Sequence, residues 1–510
     1  MQHLHSPQEA AQWLRNHVRG TLQADSRKLA AGDGFIAWPG AAVDARRFVA
    51  PALQAGAAAC LVEAQGAEAW QLQDDRVATY HGLKADTGRI AAAFFDHPSR
   101  SLAVCAVTGT NGKTSTTWWL AQALSALAPP YRRPCGMVGT LGVGTPPAPG
   151  PSASATALHS VVGTGLTTPD PVLLQRTLRE FLDHGLQACA MEASSIGIEE
   201  HRLDDTHLQL AILTNFTQDH LDYHGTMQAY WAAKQRLFDW PGLAHAVINI
   251  DDAKGAELAQ ALASRPMDVW TVGRHCGARL RASNVAYGSL GLRLDLTEGA
   301  ESVALQTRLI GGFNVSNMLG VLAALRALGV PLVEAANVCA QLHPVPGRME
   351  CLGGVDVPLV VVDYAHTPDA LAQALTALRP LAQQRGGRLW CVFGCGGDRD
   401  ASKRPLMGAI AAKNADCTMV TSDNPRSEKP EAIIAQVLLG MPHGQHGSVQ
   451  VDRAMAIADA VARADERDVV LIAGKGHEAT QDIAGVKHPF LDSAHAQQAL
   501  QRRGNERQQP

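Results

Sequence analysis

Short apolar runs recur along this chain, and each is followed by a polar turn and then by a helical pattern. Runs without polar alternation are typical of strands buried on both faces, and their alternation with helical segments predicts parallel sheets. We therefore predict an α/β fold. Beyond the first 98 residues the runs are LAVCAV (102–107), ACAM (188–191), LAIL (210–213), AHAVIN (244–249), LVVV (359–362), LWCVF (389–393), CTMV (417–420) and VVLIA (469–473).

These runs form two blocks, and the N-terminal residues hold two further strand candidates, FIAW (35–38) and ACLVEA (59–64). A length of 510 residues also agrees with about three domains. A stretch rich in Pro, Ser, Ala and Gly, residues 142–160, predicts a long flexible loop. We predict a small N-terminal α/β domain at 1–98, a central parallel-sheet domain at 99–344 and a further α/β domain at 345–510.

Polar segments follow nearly every apolar run. In open α/β sheets ligands bind at the carboxyl ends of the strands, so we predict a large polar site shared between two domains. The segments are GTNGKT, EASS, TNFTQDH, NIDD, DYAHTP, GCGGDRD, SDNPR and GKGHE.

Charge and hydropathy exclude several classes of protein. The net charge of −4 gives no reason to expect nucleic acid, because proteins that bind it usually carry a basic face. No stretch approaches the roughly 18 apolar residues of a membrane span, and the N-terminus MQHLHSPQEAAQWLRNHV lacks the apolar core of a secretory signal. We predict a cytoplasmic protein without a nucleic-acid partner or a membrane span.

The segment GTNGKTS, residues 109–115, resembles a phosphate-binding loop. The strict pattern requires glycine at position 107, where Val107 stands, but the remainder keeps the chemistry. Glycines let backbone N–H groups converge on an anion at a helix N-terminus. We predict that Lys113 reaches the β- and γ-phosphates and that the Thr114 hydroxyl binds Mg²⁺. The alternative is a glycine-rich turn without a ligand.

Ten motifs in a fixed order carry a family resemblance. They are TGTNGKTS, TTPD, MEASS, TNFTQDHLDYHGTMQAYWAAK, GGFNVSN, PGRME, VDYAHTPDAL, FGCGGDRD, DNPR and GKGHE. With them the chain resembles the Mur ligases, the ATP-dependent amide-forming enzymes of peptidoglycan precursor synthesis, over about residues 20–490. The resemblance implies a uridine-nucleotide domain, a central P-loop ATPase domain and a C-terminal Rossmann-like domain. It also implies phosphoryl transfer from ATP to a carboxylate, followed by attack of an amine on the acyl phosphate.

The resemblance assigns catalytic roles to Lys113, His220 and Lys234, and Mg²⁺ binding to Thr114, Glu192, His220 and Lys234. It implies that CO₂ carboxylates Lys234 and that the resulting carbamate helps to bind the metal. From the residues alone, Lys234 in YWAAKQRLF is typical of a solvated helix lysine, His220 of a structural histidine and Glu192 of a turn cap. The implied ATP contacts are Gly109, Thr110, Asn111, Gly112, Lys113, Thr114, Ser115, Asn317, Arg348, Asp363 and His366, the last three with turn roles as the alternative.

Residues that resemble contacts to the UDP-muramoyl dipeptide include Arg202, whose guanidinium suits a substrate carboxylate. Three positions depart from the pattern of the diaminopimelate-adding members, namely Leu166, Ile196 and Glu200. Glu200 also adds a negative charge near an acidic substrate. Ser26 has a serine turn as its alternative. The implied contacts are Ser26, Thr167, Thr168, Ser194, Glu200 and Arg202.

The motif DNPR favours meso-diaminopimelate over L-lysine as the amine substrate. The two amino acids differ by a distal carboxylate, which a planar, permanently charged donor such as Arg426 suits. A turn before the helix that begins near Pro430 would explain Asp, Asn and Pro but not Arg. The implied contacts are Arg399, Asp423, Asn424, Pro425, Arg426, Gly474 and Glu478, with Glu478 pairing an ammonium.

The resemblance thus implies a monomeric ligase that uses ATP, meso-diaminopimelate and UDP-N-acetylmuramoyl-L-alanyl-D-glutamate. Three alternatives stay open. They are a related ligase that uses L-lysine, an enzyme of the folylpolyglutamate type, and a nucleotide-binding homologue that has lost catalysis.

Overall fold

The computed structural model describes residues 2–40, 43–148, 161–288, 291–354, 356–442 and 447–507. The chain divides into two compact units. The first comprises Met1–Ala282, Leu296–Val303 and Ser316–Cys339, and the second comprises Ser283–Asp295, Ala304–Val315 and Ala340–Pro510. The predicted boundaries of three domains stay a prediction. The predicted loop at 142–160 lies mostly outside the described residues.

The N-terminal residues of the first unit form a five-stranded parallel sheet with the order β1-β5-β4-β3-β2. Apolar side chains are buried on both of its faces, as the predicted strands FIAW and ACLVEA require. The strands are β1 (Gln2–Leu4), β2 (Leu22–Gln23), β3 (Gly34–Ala37), β4 (Ala59–Glu63) and β5 (Val77–Tyr80), and the helices are α1 (Pro7–His17), α2 (Val49–Gln54) and α3 (Leu83–Phe94).

A larger sheet follows, and all of the strands predicted between residues 100 and 250 are present in it. Its strands are β6 (Ala103–Thr108), β7 (Cys135–Gly139), β8 (Gly142–Gly144), β9 (Ala188–Glu192), β10 (Leu210–Leu213), β11 (His245–Asn249), β12 (Asp268–Gly273) and β13 (Leu280–Gly288), with β14 (Gly291–Glu298) and β15 (Glu301–Gln306) after them. The accompanying helices are α4 (Lys113–Ala126), α5 (Pro171–Asp183), α6 (Ser195–Glu199), α7 (Leu221–His224), α8 (Met227–Gln235), α9 (Ala253–Leu262), α10 (Phe313–Ala327) and α11 (Leu332–Cys339).

The strand order β12-β11-β10-β6-β9-β7-β8 decides where the chemistry lies. Strand β6 pairs in parallel with β10 on one side and with β9 on the other. The segments that follow these three strands, beginning at Gly109, Ala193 and Thr214, therefore leave the sheet at the same edge. The apolar side chains of β6, β9 and β10 are buried in a hydrophobic core next to this edge.

Within the first unit, the N-terminal sheet packs on the larger one through α3 and α5. Val172 of α5 is buried in the N-terminal core. Lys84 and Glu200 form an ion pair at 2.6 Å. A Cβ atom at Gly88 would lie 2.6 Å from the carbonyl oxygen of Asp204, so the close approach of α3 requires glycine there.

The second unit contains a six-stranded sheet with the order β16-β17-β21-β18-β19-β20, in which only β16 pairs antiparallel among the described strands. The four central strands are those predicted, and their carboxyl ends lie side by side. The strands are β16 (Glu350–Gly353), β17 (Leu359–Asp363), β18 (Leu389–Phe393), β19 (Cys417–Val420), β20 (Ser448–Val449) and β21 (Val469–Ala473), followed by the hairpin of β22 (Thr480–Ile483) and β23 (Val486–Pro489). The helices are α12 (Pro368–Arg385), α13 (Lys403–Asn414), α14 (Pro430–Leu438), α15 (Arg453–Arg463) and α16 (Asp492–Arg507).

In the part of the chain that the structure describes, no helix is both long enough and apolar enough to cross a membrane.

Candidate active site

The loop that joins β6 to α4 has the geometry of a phosphate cradle. Gly109 and Gly112 have φ values of +144° and +86°, which favour glycine. A Cβ atom would lie 1.9 Å from Thr214 Oγ1 at Gly109 and 2.2 Å from Asn317 Oδ1 at Gly112. Glycine is therefore required at both positions, and the loop leads directly into the N-terminus of α4, which favours an anion. Asn317 lies inside α10, with its amide against this loop.

The turn after β10 fixes the backbone of the cradle. The carbonyl oxygen of Asn215 accepts the N–H of Thr110, and its Oδ1 accepts the N–H of Asn111, both at 2.9 Å. The amide nitrogen of Asn215 donates back to the carbonyl of Asn111 at 3.0 Å, and Thr214 Oγ1 donates to the same carbonyl at 2.6 Å. A connected set of bonds of this kind holds a loop in one conformation.

Two lysine side chains converge on the cradle. Lys113 Nζ donates to the carbonyl oxygens of Gly109 and Thr110, each at 2.9 Å. Lys234 Nζ donates to the Gly109 carbonyl at 2.8 Å. A cation above a phosphate cradle can stabilise the charge that develops on a transferred phosphoryl group.

The solvated setting that the residues alone suggest for Lys234 is wrong. Its side chain is 1% exposed, and its amino group lies 4.4 Å from the centre of the Tyr230 ring. Burial lowers the pKa of Lys234 well below its usual value, and the neighbouring charge of Lys113 lowers it further. Burial thus disfavours the ammonium relative to the neutral amine, and only the neutral amine is a nucleophile.

His220 follows β10 and adopts a left-handed backbone with φ of +51°. Burial lowers the pKa of its imidazole, Asp219 opposes this shift, and Lys113 and Lys234 add to it. The neutral imidazole is the form that binds a metal ion. The metal-binding role of His220 and its structural alternative both stay predictions.

Glu192 ends β9 with its side chain fully buried. The N–H of Thr140 donates to Oε1 at 2.7 Å, and the Thr140 hydroxyl donates to Oε2 at 3.1 Å. A Cβ atom at Gly139 would lie 2.3 Å from Oε1, so glycine admits the carboxylate. Each oxygen keeps a second lone pair for another ligand.

The residues present fit Mg²⁺ bound together with a nucleotide. The described residues contain no cluster of three or more His, Cys, Asp or Glu side chains that could hold a metal by themselves. Mg²⁺ commonly takes one or two carboxylates, and completes its shell with water and substrate phosphates. Glu192 and the Thr114 hydroxyl are donors of this kind, and His220 offers a nitrogen.

A second group of polar residues lies beside Glu192. Thr168 Oγ1 contacts Ser194 Oγ at 3.0 Å, and Thr167 Oγ1 contacts Thr140 Oγ1 at 3.1 Å. Arg202 Nη1 donates to the carbonyl of Thr168 at 2.9 Å. The structure thus brings together the predicted dipeptide contacts that follow β9 and precede α5.

The charge of Glu200 is already compensated within the protein. Its carboxylate pairs with Lys84 at 2.6 Å and accepts the Tyr223 hydroxyl at 2.5 Å. The Lys84 hydrogen bond is the main reason that the pKa of Glu200 is lowered. Of the other two departures, Leu166 is 44% exposed and Ile196 is half-buried in α6.

Ser26 begins a short helical turn, Ser26–Lys28, near the end of β2. Asp25 caps this turn by accepting the N–H of Arg27 at 3.1 Å. In a serine turn the Ser26 side chain would cap the backbone. Here the Asp25 side chain makes the capping contact.

In the second unit, an aromatic cluster lies at the ends of β17 and β21. The Arg348 guanidinium lies 4.3 Å from the centre of the Tyr364 ring, which also packs against His366 and His477. Burial and the nearby cations lower the pKa of His477 to about 4. Asp363 Oδ2 and Oδ1 accept the N–H groups of Met349 and Ala365, at 2.9 and 2.8 Å, and burial raises the pKa of this carboxyl. Arg348, Asp363 and His366 thus lie at one end of the sheet, and their contacts to a nucleotide stay a prediction.

The DNPR and GKGHE segments meet at the ends of β19 and β21. Asn424 Nδ2 donates to Glu478 Oε2 at 2.7 Å. Gly474 has φ of +117°, and a Cβ atom there would lie 2.6 Å from Asp423 Oδ2. Asp423 and Asn424 are buried, whereas Glu478 is partly exposed. Four of the predicted contacts to the amino acid, Asp423, Asn424, Gly474 and Glu478, therefore form one cluster.

Arg426 has a left-handed backbone with φ of +51°, which is uncommon for arginine. Its Nη1 donates to the carbonyl of Gly397 at 2.6 Å, in the loop after β18. A Cβ atom at Gly397 would lie 1.9 Å from the Pro425 carbonyl, so the two loops pack closely. Arg399 in the same loop is exposed.

Sequence reasoning missed residues whose roles depend on distant partners. Asn215 and Lys475 stand inside the quoted motifs TNFTQDH and GKGHE, but the identity of their partners is visible only in the fold. Thr140, which holds Glu192, lies outside every motif. Asn215 could have been found from sequence, because it is a polar residue shortly after the buried strand β10.

Comparisons with known proteins agree with this geometry. The family model described as Mur ligase middle domain matches residues 107–325, and the model described as Mur ligase, glutamate ligase domain matches residues 347–476. The chain is 58% identical over 500 residues to the UDP-N-acetylmuramoyl-L-alanyl-D-glutamate–2,6-diaminopimelate ligase of Acidovorax sp. (strain JS42), which covers 98% of this chain and 97% of that protein.

Solved structures show the same relation. The structure of a UDP-N-acetylmuramoyl-L-alanyl-D-glutamate–2,6-diaminopimelate ligase matches with a TM-score of 0.64 and 34% identity over 95% of both chains. The MurF ligase from Thermotoga maritima in complex with ADP matches with a TM-score of 0.65 and 18% identity, over 96% of this chain and 98% of that one. At that identity the second match concerns the fold alone.

Proposed function

Because this chain belongs to the Mur ligase family, we propose that it is an ATP-dependent ligase that joins meso-2,6-diaminopimelate to UDP-N-acetylmuramoyl-L-alanyl-D-glutamate. The family recognised from the ten motifs is confirmed, and so is the α/β fold of several domains. The observation that carries the choice of amine is the cluster of Asn424, Arg426 and Glu478 at the ends of β19 and β21.

The reaction forms an amide from a carboxylate and an amine in two steps. The terminal phosphoryl group of ATP passes to a carboxylate oxygen of the D-glutamate residue, which gives an acyl phosphate and ADP. The amine then attacks the acyl carbon, inorganic phosphate leaves, and the amine loses a proton. Both steps build negative charge, which cationic side chains stabilise.

The cradle at residues 109–115 supports the binding of ATP phosphates. Lys113 accompanies the transferred group, and Thr114, Glu192 and His220 would hold Mg²⁺. The metal neutralises charge on the phosphates when it is bound. Asn317 lies beside Gly112 on the same loop, whereas Arg348, Asp363 and His366 are the nucleotide contacts that we propose from the second unit.

We place a carbamate on Lys234. A neutral lysine amine adds to CO₂ and releases a proton, and burial favours the neutral form by lowering the pKa of Lys234. The product is an anion whose counter-charge is the ammonium of Lys113, which shares the Gly109 carbonyl with it. Such an anion would supply oxygen donors of the kind that Mg²⁺ prefers.

The polar group of Thr167, Thr168, Ser194 and Arg202 supports binding of the muramoyl dipeptide, with Ser26 as a uridine-nucleotide contact. Because the reaction consumes ATP and a nucleotide-linked precursor, we propose that the enzyme is cytoplasmic and that its substrates are small molecules only. We also propose that it is a monomer.

Phosphate release by the purified protein tests the proposal directly. With ATP, Mg²⁺ and UDP-N-acetylmuramoyl-L-alanyl-D-glutamate, we expect release with meso-diaminopimelate and little with L-lysine. The product should be heavier than the substrate by one diaminopimelate residue. Release with lysine instead would overturn the choice of amine and keep the family. Silence in both reactions would favour a homologue that has lost catalysis.

Replacing Arg426 should relax the choice of amine. An Arg426→Ala variant removes a charge-assisted partner of the distal carboxylate, and such bonds contribute roughly 1.5–3 kcal/mol. We expect the ratio of kcat/KM for diaminopimelate to that for lysine to fall by about tenfold or more. Arg467→Ala removes an exposed arginine that pairs only with Asp465 among the described contacts, and serves as the control. An unchanged ratio would show that Arg426 does not read the distal carboxylate.

A further inference from the structure

Lys475 is a fully buried lysine between two proposed substrate contacts, Gly474 and Glu478. Its side chain is 0% exposed, although its neighbour Glu478 keeps 34% of its side chain exposed. Gly474 and Gly476 on either side of it have φ values of +117° and +53°. These left-handed turns at the end of β21 allow the lysine to point inward while the adjacent backbone stays at the edge of the sheet.

The amino group of Lys475 makes three hydrogen bonds. It donates to Asn424 Oδ1 and to Glu478 Oε2, both at 3.0 Å, and to the carbonyl oxygen of Thr480 at 2.8 Å. These use all three protons of an ammonium. A buried charge is stable only when it is paired and fully hydrogen-bonded, and this arrangement meets both conditions.

The bonds orient one end of the proposed amine-substrate site. Glu478 Oε2 accepts from Lys475 and also from Asn424 Nδ2 at 2.7 Å. With Oε2 held on its buried side, Oε1 is the oxygen left to face the partly exposed side of the cluster. A carboxylate fixed in this way can accept an ammonium without a cost for ordering its own side chain.

The same amino group is linked to the opposite end of the site. Asn424 Oδ1 accepts from Lys475 and from the N–H of Asp482 at 3.0 Å. The carbonyl of Asp482 accepts the N–H of Arg426 at 3.0 Å, and Arg426 lies in a bridge to Ile483. The chain of bonds therefore runs from Glu478 through Lys475, Asn424 and Asp482 to Arg426.

We propose that Lys475 is a positioning residue that fixes the separation between the anionic end, Glu478, and the cationic end, Arg426, of the amine-substrate site. Such a pair matches a diamino diacid whose distal end carries both an ammonium and a carboxylate. Lys475 does not touch the substrate but sets the distance at which the two ends are recognised together. The inference rests on the proposed function and extends it to specificity.

Steady-state kinetics of the full-length protein test this role. We expect Lys475→Met to raise the KM for diaminopimelate by about tenfold or more, as the loss of a hydrogen bond to a charged group implies. The KM values for ATP and for the uridine nucleotide should change by less than about twofold, because their proposed contacts share no bond with Lys475. The preference for diaminopimelate over lysine should fall with the rise in KM.

Two further variants make the result decisive. Lys475→Gln keeps a hydrogen-bond donor without the charge, so its effect on the KM for diaminopimelate should be smaller, and it provides the measurement if Lys475→Met does not fold. Lys487→Met removes an exposed lysine in β23 and should behave as wild type. If the folded variants keep the wild-type KM for diaminopimelate, or raise all three KM values equally, the positioning role is wrong. A wild-type protein that is inactive with diaminopimelate would instead overturn the proposed function.

Discussion

A Lys113→Met variant should lose about a thousandfold or more of kcat while the protein stays folded. Lys113 begins α4 and places its amino group over the cradle, where it contacts the carbonyls of Gly109 and Thr110. Methionine has a similar length but no charge and no donor. Removing one positioned cation from a phosphoryl-transfer site costs about 10³-fold or more in comparable systems.

Both the binding of ATP and kcat of Lys113→Met must be compared with those of the wild type. The cradle backbone is held by Asn215 and Thr214 rather than by Lys113 alone, so the loop should persist and ATP should still bind. We expect the KM for ATP to rise much less than kcat falls, and the thermal unfolding temperature to stay near that of wild type. Lys413→Met, an exposed lysine in the last turn of α13, is the matched control. A folded Lys113→Met protein with near-normal kcat would remove Lys113 from the catalytic machinery.

Eight strands of the two large sheets could be predicted because a parallel strand covered on both faces consists of uninterrupted apolar residues. LWCVF became β18 and VVLIA became β21, each within a residue of the predicted bounds. Strands with one exposed face carry a weaker signal. The hairpin of β22 and β23 has a mostly exposed sequence, and nothing in its composition distinguished it from a loop.

The contacts of the site were harder to predict than its residues. The helix α8 shows only a weak pattern of apolar positions around Lys234. The buried amino group of this lysine donates to the carbonyl oxygen of Gly109, which lies 125 residues earlier in the chain. The sequence predicts an unfavourable charge at Glu200 because its partner, Lys84, lies in α3, more than 100 residues earlier in the chain. Sequence motifs indicate which residues we expect to contact ligands. The residues that hold these side chains in place lie in distant elements and are found only from the packing.

A Lys234→Met variant should lose about a hundredfold or more of kcat, because it removes both the buried amine and the carbamate that we propose on it. Methionine fits an apolar setting beside Tyr230, so the free energy of unfolding should not fall. Lys254→Met changes a half-buried helix lysine that pairs with Glu257 and lies 6.0 Å from the centre of the Trp231 ring, and should keep wild-type activity. A kcat of Lys234→Met within about twofold of wild type would exclude a catalytic role.

The carbamate has its own signature, which depends on pH with a defined sign. Burial depresses the pKa of Lys234 in the folded protein, so between that value and the usual one the unfolded chain binds more protons. Lowering the pH from the usual pKa towards the folded pKa therefore weakens the folded state, and below the folded pKa the amine is protonated and the carbamate is lost. With ¹³C-labelled bicarbonate, we expect a carbamate carbon resonance in wild type and in Lys254→Met that fades on acidification and is missing from Lys234→Met. A resonance that persists in Lys234→Met would assign the CO₂ to another amine, and its absence from an active wild-type enzyme would leave Lys234 as an unmodified amine beside Lys113.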